Sequence, residues 1–135
     1  MKKMSKRTLA LVLAIAVFTV SALVLRASLT GGFSVQVKNV NIVTDEGVNL
    51  SATLWVPKNA TTDTPAAGIV VAPGGNTPHV FYASYSIELA RRGYVVLAYD
   101  YYGTVGSGMT TEGNSGALAA MKYLSGLSFV DGERL

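Results

Sequence analysis

The residues able to do chemistry in this chain are few. Cysteine is absent, and histidine occurs once, at His79. A thiol nucleophile, a disulfide framework, a Cys-based zinc site and a multi-His metal site are thereby excluded. The most informative local group is Pro73-Gly74-Gly75-Asn76. It follows a short apolar run and precedes a helical pattern. Backbone N–H groups in such a turn can face a developing oxyanion, and glycine lets a substrate approach closely. Asp100 closes a second apolar run, a position open to a catalytic or a structural acid. It lies 25 residues after Gly75, which raises a rival reading: a dinucleotide-binding βαβ unit whose acid holds a ribose. GGNTPH lacks the last glycine of that fingerprint. No metal ligand set and no cofactor is assigned.

The elements that must position these residues are legible from periodicity. FSVQVKNVNIV and NLSATLWVP alternate apolar and polar residues around a turn at Asp45-Glu46-Gly47, which predicts a hairpin with one polar face. After the polar loop Lys58–Ala66, AGIVVAP reads as a strand buried on both faces. Pro78 suits the first turn of a helix, with Asn76 or Thr77 as its cap, running through VFYASYSIELARR and stopping at Gly93. YVVLAYD is a second buried strand. YYGTVGSGMTTEG is a glycine-rich loop, NSGALAAMKYL a short helix, and LSFVDGERL the approach to a further strand. The order β-β-β-α-β-α predicts a mixed α/β sheet with helices on its faces and a right-handed βαβ unit inside it.

Ahead of the body stands MKKMSKR, then Thr8–Leu25, eighteen residues without a charge. As a helix this stretch spans about 27 Å, just under the bilayer hydrocarbon thickness. The positive charges in front hold the N-terminus in the cytoplasm and send the body outward. Two readings stay open: a signal anchor retained in the membrane, or a cleaved signal peptide, for which Val20-Ser21-Ala22 is a poor cleavage site. Each places the body outside the cytoplasm. The division is then a signal anchor or signal peptide over 1–26, a linker over 27–33 and an α/β domain over 34–135. The net charge of +3 is carried by the leader. After Arg26, Lys38, Lys58, Arg91, Arg92, Lys122 and Arg134 face 8 acidic residues. That balance offers no basic face to a nucleic acid.

Four stretches, taken in order, resemble the N-terminal part of an α/β-hydrolase, in the branch of dienelactone hydrolases, acyl-peptidases and prolyl-oligopeptidase-like enzymes. They are DEGVNLSATLWVP, VVAPGGN, LARRGYVVLAYDYYGTVGS and ALAAMKYLSGLSFVDGERL. The resemblance covers about Val35 to Leu135. It implies ester or amide hydrolysis by a serine nucleophile, a His base and backbone oxyanion donors. In the family the residue after a His-Gly pair donates one such N–H, which maps to Gly75 with Asn76 beside it. Pro73 stands where the usual His would. The resemblance makes Asp100 a structural residue, and puts Tyr102 where an Arg usually pairs with it. His79 and Tyr82 become pocket-lining candidates; Tyr85, Tyr101 and Tyr102 read as pocket or core, and Arg91-Arg92 as a solvated helix end.

The family's nucleophile sits in G-x-S-x-G after the next strand, with the acid and His later. Ser107 and Ser115 lack glycines at both −2 and +2, and His79 precedes them both. No catalytic residue is therefore assigned, and these 135 residues are expected to be inactive alone. The partners implied are a small ester or peptide substrate of the full-length parent, the membrane through residues 8–25, and a complementing C-terminal chain. The alternative is a membrane-tethered, non-catalytic binding module that accepts a strand at its open sheet edge.

Overall fold

The computed structural model describes residues 5–74, 77–101 and 115–135. Helix α1, Lys6–Leu29, starts at Ser5, whose hydroxyl accepts from the Thr8 N–H. It is long and apolar enough to cross a membrane, and none of it is buried against the body. It runs three residues past Arg26, into the stretch read as a linker. A turn follows in which Gly31, Gly32 and Phe33 have φ of 54°, 72° and 64°. Two glycines take this left-handed path freely, whereas Phe33 does so at a cost of about 1–2 kcal/mol. The turn is closed by Gly32 N–H to Ala27 O at 2.8 Å and Val35 N–H to Thr30 O at 3.1 Å.

The body is a five-stranded sheet between helices. Strands β1 (Val35–Val43) and β2 (Asn49–Pro57) form the hairpin, with Gly47 at φ 78° in the turn. Strand β3 is Ala66–Val71. A 3-10 segment, His79–Tyr82, leads into α2, Ala83–Arg91, which ends at Gly93 with φ 99°. Strand β4 is Val95–Tyr99, α3 is Ser115–Ser125, and β5 is the short pair Val130–Asp131. The order across the sheet is β1-β2-β4-β3-β5. β1 and β2 are antiparallel to their neighbours, while β4, β3 and β5 run parallel. The hairpin thus forms one edge of a mixed sheet, as the sequence pattern predicts.

Alternation of side chains sorts the core into two layers. Leu50, Ala52, Leu54 and Val56 of β2 and Val95, Leu97 and Tyr99 of β4 cluster with Ala120 and Leu124 of α3. Trp55, Val96 and Ala98 cluster with Ala90 of α2, with Ile87 packed against them. Two expectations are corrected. β2 has no polar face: its residues from Ala52 to Pro57 are buried, because it lies between β1 and β4 with cover on both sides. β3 is buried at Gly68 and only half-buried elsewhere. Its outer side is paired only by β5 at Ala66 and Ala67 and by the Gly68 N–H to Arg134 O bond, among the described residues.

Candidate functional site

The strand-to-helix turn after β3 sits at the C-terminal end of a parallel strand, beside the end of β4. In open α/β sheets this is where ligands bind. Gly75 and Asn76 lie outside the described residues, but both flanks of the turn are placed. Pro73 is buried, and the Gly74 N–H donates to the Tyr82 hydroxyl at 3.3 Å. Tyr82 therefore holds the turn from its far side. The chain enters a 3-10 segment at Pro78, with no side-chain cap. Thr77 is not the cap residue, since Pro78 takes that place, and Asn76 lies outside the described residues; the first N–H of the segment is satisfied by Asp100.

His79 is buried, 6% exposed, and so is Asp100, 3% exposed. The Asp100 Oδ1 accepts from the backbone N–H of His79 and from its ring Nδ1, both at 2.7 Å. One carboxylate oxygen thus satisfies a helix-start N–H and orients the imidazole. On the other side of the ring, Nε2 lies 2.8 Å from the Thr53 hydroxyl. Thr53 has one proton and two neighbours for it, since Asn39 Oδ1 stands at 3.3 Å. With Nδ1–H directed at Asp100, Nε2 is left to accept from the Thr53 hydroxyl, which it shares with Asn39 Oδ1. The four residues come from β1, β2, the 3-10 segment and the end of β4. Register makes this possible: Asn39 lies opposite Thr53 on β1, and Thr53 opposite Ala98 on β4. The Asp100 N–H is itself fixed, donating to Ser51 O at 2.7 Å.

Acid, imidazole and hydroxyl follow in the order of a catalytic triad. Access decides against a nucleophilic role. Thr53 is 6% exposed, in the middle of a strand buried on both faces. The cluster instead positions backbone: it ties the end of β4 to the segment that follows the turn. Asp100 ties backbone together through His79 and Ser51, both on preceding segments. The loop after it, with Tyr102, Ser107 and the remainder of 102–114, lies outside the described residues. His79, read from the sequence as a pocket-lining candidate, starts the 3-10 segment and is buried there.

Beside the turn, Val80, Phe81 and Tyr85 are exposed at 60%, 71% and 70%. Tyr85 is therefore not core, while Tyr82 and Tyr101 are half-buried. Ser115 opens α3. Glu88 pairs with Arg91 and Arg92 on the exposed end of α2. In the sequence His79 and Asp100 stand apart, and nothing local marks Thr53 or Asn39 as their partners. The signal available was a lone His soon after a glycine turn, in a chain whose next strand ends in an acid.

No protein-family model matches the sequence, and no curated protein sequence does. Solved structures do. A hypothetical protein from Pseudomonas aeruginosa is 26% identical, with a TM-score of 0.62 over 75% of this chain and 34% of its own. An esterase from Pyrococcus furiosus is 25% identical, with a TM-score of 0.56 over 72% of this chain and 39% of its own. An acetyl xylan esterase from Paenibacillus sp. R4 is 16% identical, with a TM-score of 0.62 over 75% of this chain and 40% of its own. The chain carries part of the α/β-hydrolase fold, and spans between a third and two fifths of the length of these structures.

Proposed function

We propose that residues 34–135 are the front part of an exported serine hydrolase acting on ester or amide bonds. The observation that carries this reading is the turn between β3 and the His79 segment, at the C-terminal end of a parallel strand and held from both flanks. In this reading the backbone N–H groups of Gly75 and Asn76 receive the oxyanion as a serine attacks the carbonyl carbon. The serine, its His base and the acid are supplied by a segment following the next strand. The exposed Val80, Phe81 and Tyr85 then form an apolar rim for the substrate. Helix α1 is a retained signal anchor, with the body on the outer side.

Two measurements test this. A polypeptide of these 135 residues is expected to show no turnover of a p-nitrophenyl ester above background. Turnover that disappears on Ser107→Ala or Ser115→Ala overturns that expectation. The coding DNA after the Leu135 codon, read in three forward frames, is expected to encode a strand ending in G-x-S-x-G, with Asp and His later. Its absence from all frames overturns the enzyme reading and favours a tethered binding module. The outer side of β3, open from Ile69 to Val71 among the described residues, is the surface such a module offers to a partner strand.

A further inference from the structure

Helix α1 is joined to the start of the sheet by a hydrogen-bonded turn. The Thr30 hydroxyl donates to Arg26 O at 2.7 Å and accepts from the Phe33 N–H at 3.1 Å, and the Ser34 hydroxyl donates to Gly31 O at 2.7 Å. With the backbone bonds of the same turn, these fix the outer end of the helix beside β1. Between them and α2 lies a groove of about 1070 Å³. Its walls are apolar at Phe33, Trp55 and Ile87, and three cations stand along it, Arg26, Lys38 and Lys58. Among the described residues, no acidic one lines it. Among the described residues, none of the ion pairs engages these three cations.

The position of the groove selects its occupant. The uncharged stretch of α1 ends at Leu25, so Arg26 marks the boundary between hydrocarbon and headgroups when α1 spans a bilayer. The groove therefore opens at headgroup level, with its apolar wall continuing down an exposed apolar helix. A ligand that fits has an anionic phosphate for the cations and an acyl chain for the wall. We propose that this groove binds one anionic phospholipid of the outer leaflet, its phosphate held by Arg26, Lys38 and Lys58. The proposal rests on α1 being a retained anchor. It is independent of any hydrolase chemistry.

The test uses the full chain in nanodiscs made with dioleoyl phosphatidylglycerol and dioleoyl phosphatidylcholine in equal amounts. Lipid retained on the released protein is read by native mass spectrometry. Phosphatidylglycerol is expected to be retained at least about tenfold over phosphatidylcholine. Lys38→Ala with Lys58→Ala is expected to reduce that retention roughly 25-fold, about fivefold for each lysine at an anionic surface. Lys38→Arg with Lys58→Arg is expected to keep it. Both lysines are exposed, so circular dichroism of the Ala variant should match the parent. Equal retention of the two lipids, unchanged retention in the Ala variant, or displacement by millimolar glycerol phosphate would each overturn the proposal. The intact mass separates the two readings. Loss of the residues before about Ala27 removes the anchor and the groove together, whereas an intact helix without lipid preference removes only the lipid site.

Discussion

Strands β3 and β4 lie side by side, have similar composition and end at the same site, yet their environments differ sharply. Every residue of β4, Val95 to Tyr99, is at most 1% exposed. β3 is mostly half-buried. Composition cannot explain this, because AAGIVV and VVLAY are both unbroken apolar runs. Place in the sheet explains it. β4 has β2 on one side, β3 on the other, α3 below and α2 above. β3 has β4 on one side and two residues of β5 on the other. The closed side also holds the buried polar cluster, whereas Arg134 and Asp131 on the β5 side pair in an exposed position worth little. Cover and polar rigidity thus lie on one flank of the candidate site, and openness on the other.

The largest test of this contrast is to break the closed flank. His79→Ala removes the ring between Asp100 and Thr53 and leaves a buried carboxylate and a buried hydroxyl short of partners. It is expected to destabilise the body by about 3 kcal/mol, lowering the melting temperature of the full chain in detergent by more than about 10 °C. A loss under about 1 kcal/mol would show that the cluster is not a structural tie. Thr53→Val keeps the shape and removes one bond, and is expected to cost about 1–2 kcal/mol.

The open flank should tolerate change less evenly. A Cβ at Gly68 would lie 2.9 Å from Leu124 Cδ2 and 2.6 Å from Leu135 Cδ2. Leu135 is exposed and can move; Leu124 is fully buried and cannot. Gly68→Val is expected to cost about 1–3 kcal/mol by overpacking, with the loss read by denaturant melts. Gly68→Ala meets the same two leucines with its Cβ alone and should cost less, because valine adds two further methyls at that point.

A smaller effect concerns Tyr99 at the end of β4. Burial, with Tyr101 nearby, raises its phenol above the ordinary value of 10.0. The folded chain therefore holds that proton to higher pH than the unfolded chain. Its contribution is fully present below pH 10 and is lost as pH rises through the folded value. Stability of the full chain is expected to fall as pH rises above the ordinary tyrosine value of 10.0, and Tyr99→Phe to flatten that fall. An unchanged slope in the variant would assign the alkaline loss elsewhere.

The smallest expected effect is also on the closed flank. Ser86 of α2 is fully buried, and its hydroxyl has no hydrogen-bond partner among the described residues. Ser86→Ala removes a desolvated polar atom without breaking a bond, so stability should be unchanged or rise by up to about 1 kcal/mol. A clear loss would reveal a partner for that hydroxyl and add a second polar tie to this side.

Much of the architecture is written locally. The hairpin follows from two alternating runs around Asp45-Glu46-Gly47, and α2 stops where Gly93 takes a left-handed φ. The eighteen uncharged residues from Thr8 determine a membrane-competent helix by length and composition alone. The turn at Gly74 is equally local, since a strand must end there before Pro78. These features depend on backbone preference and side-chain period, which neighbouring residues carry. What only the tertiary structure decided depends on sheet order. Residues 39, 53, 79 and 100 meet because β2 pairs with β4 rather than with β3, and no local pattern specifies that pairing. The same order turns one apolar run into a buried strand and leaves its neighbour half-open. Burial belongs to the neighbours a strand acquires, and those are chosen by the whole chain.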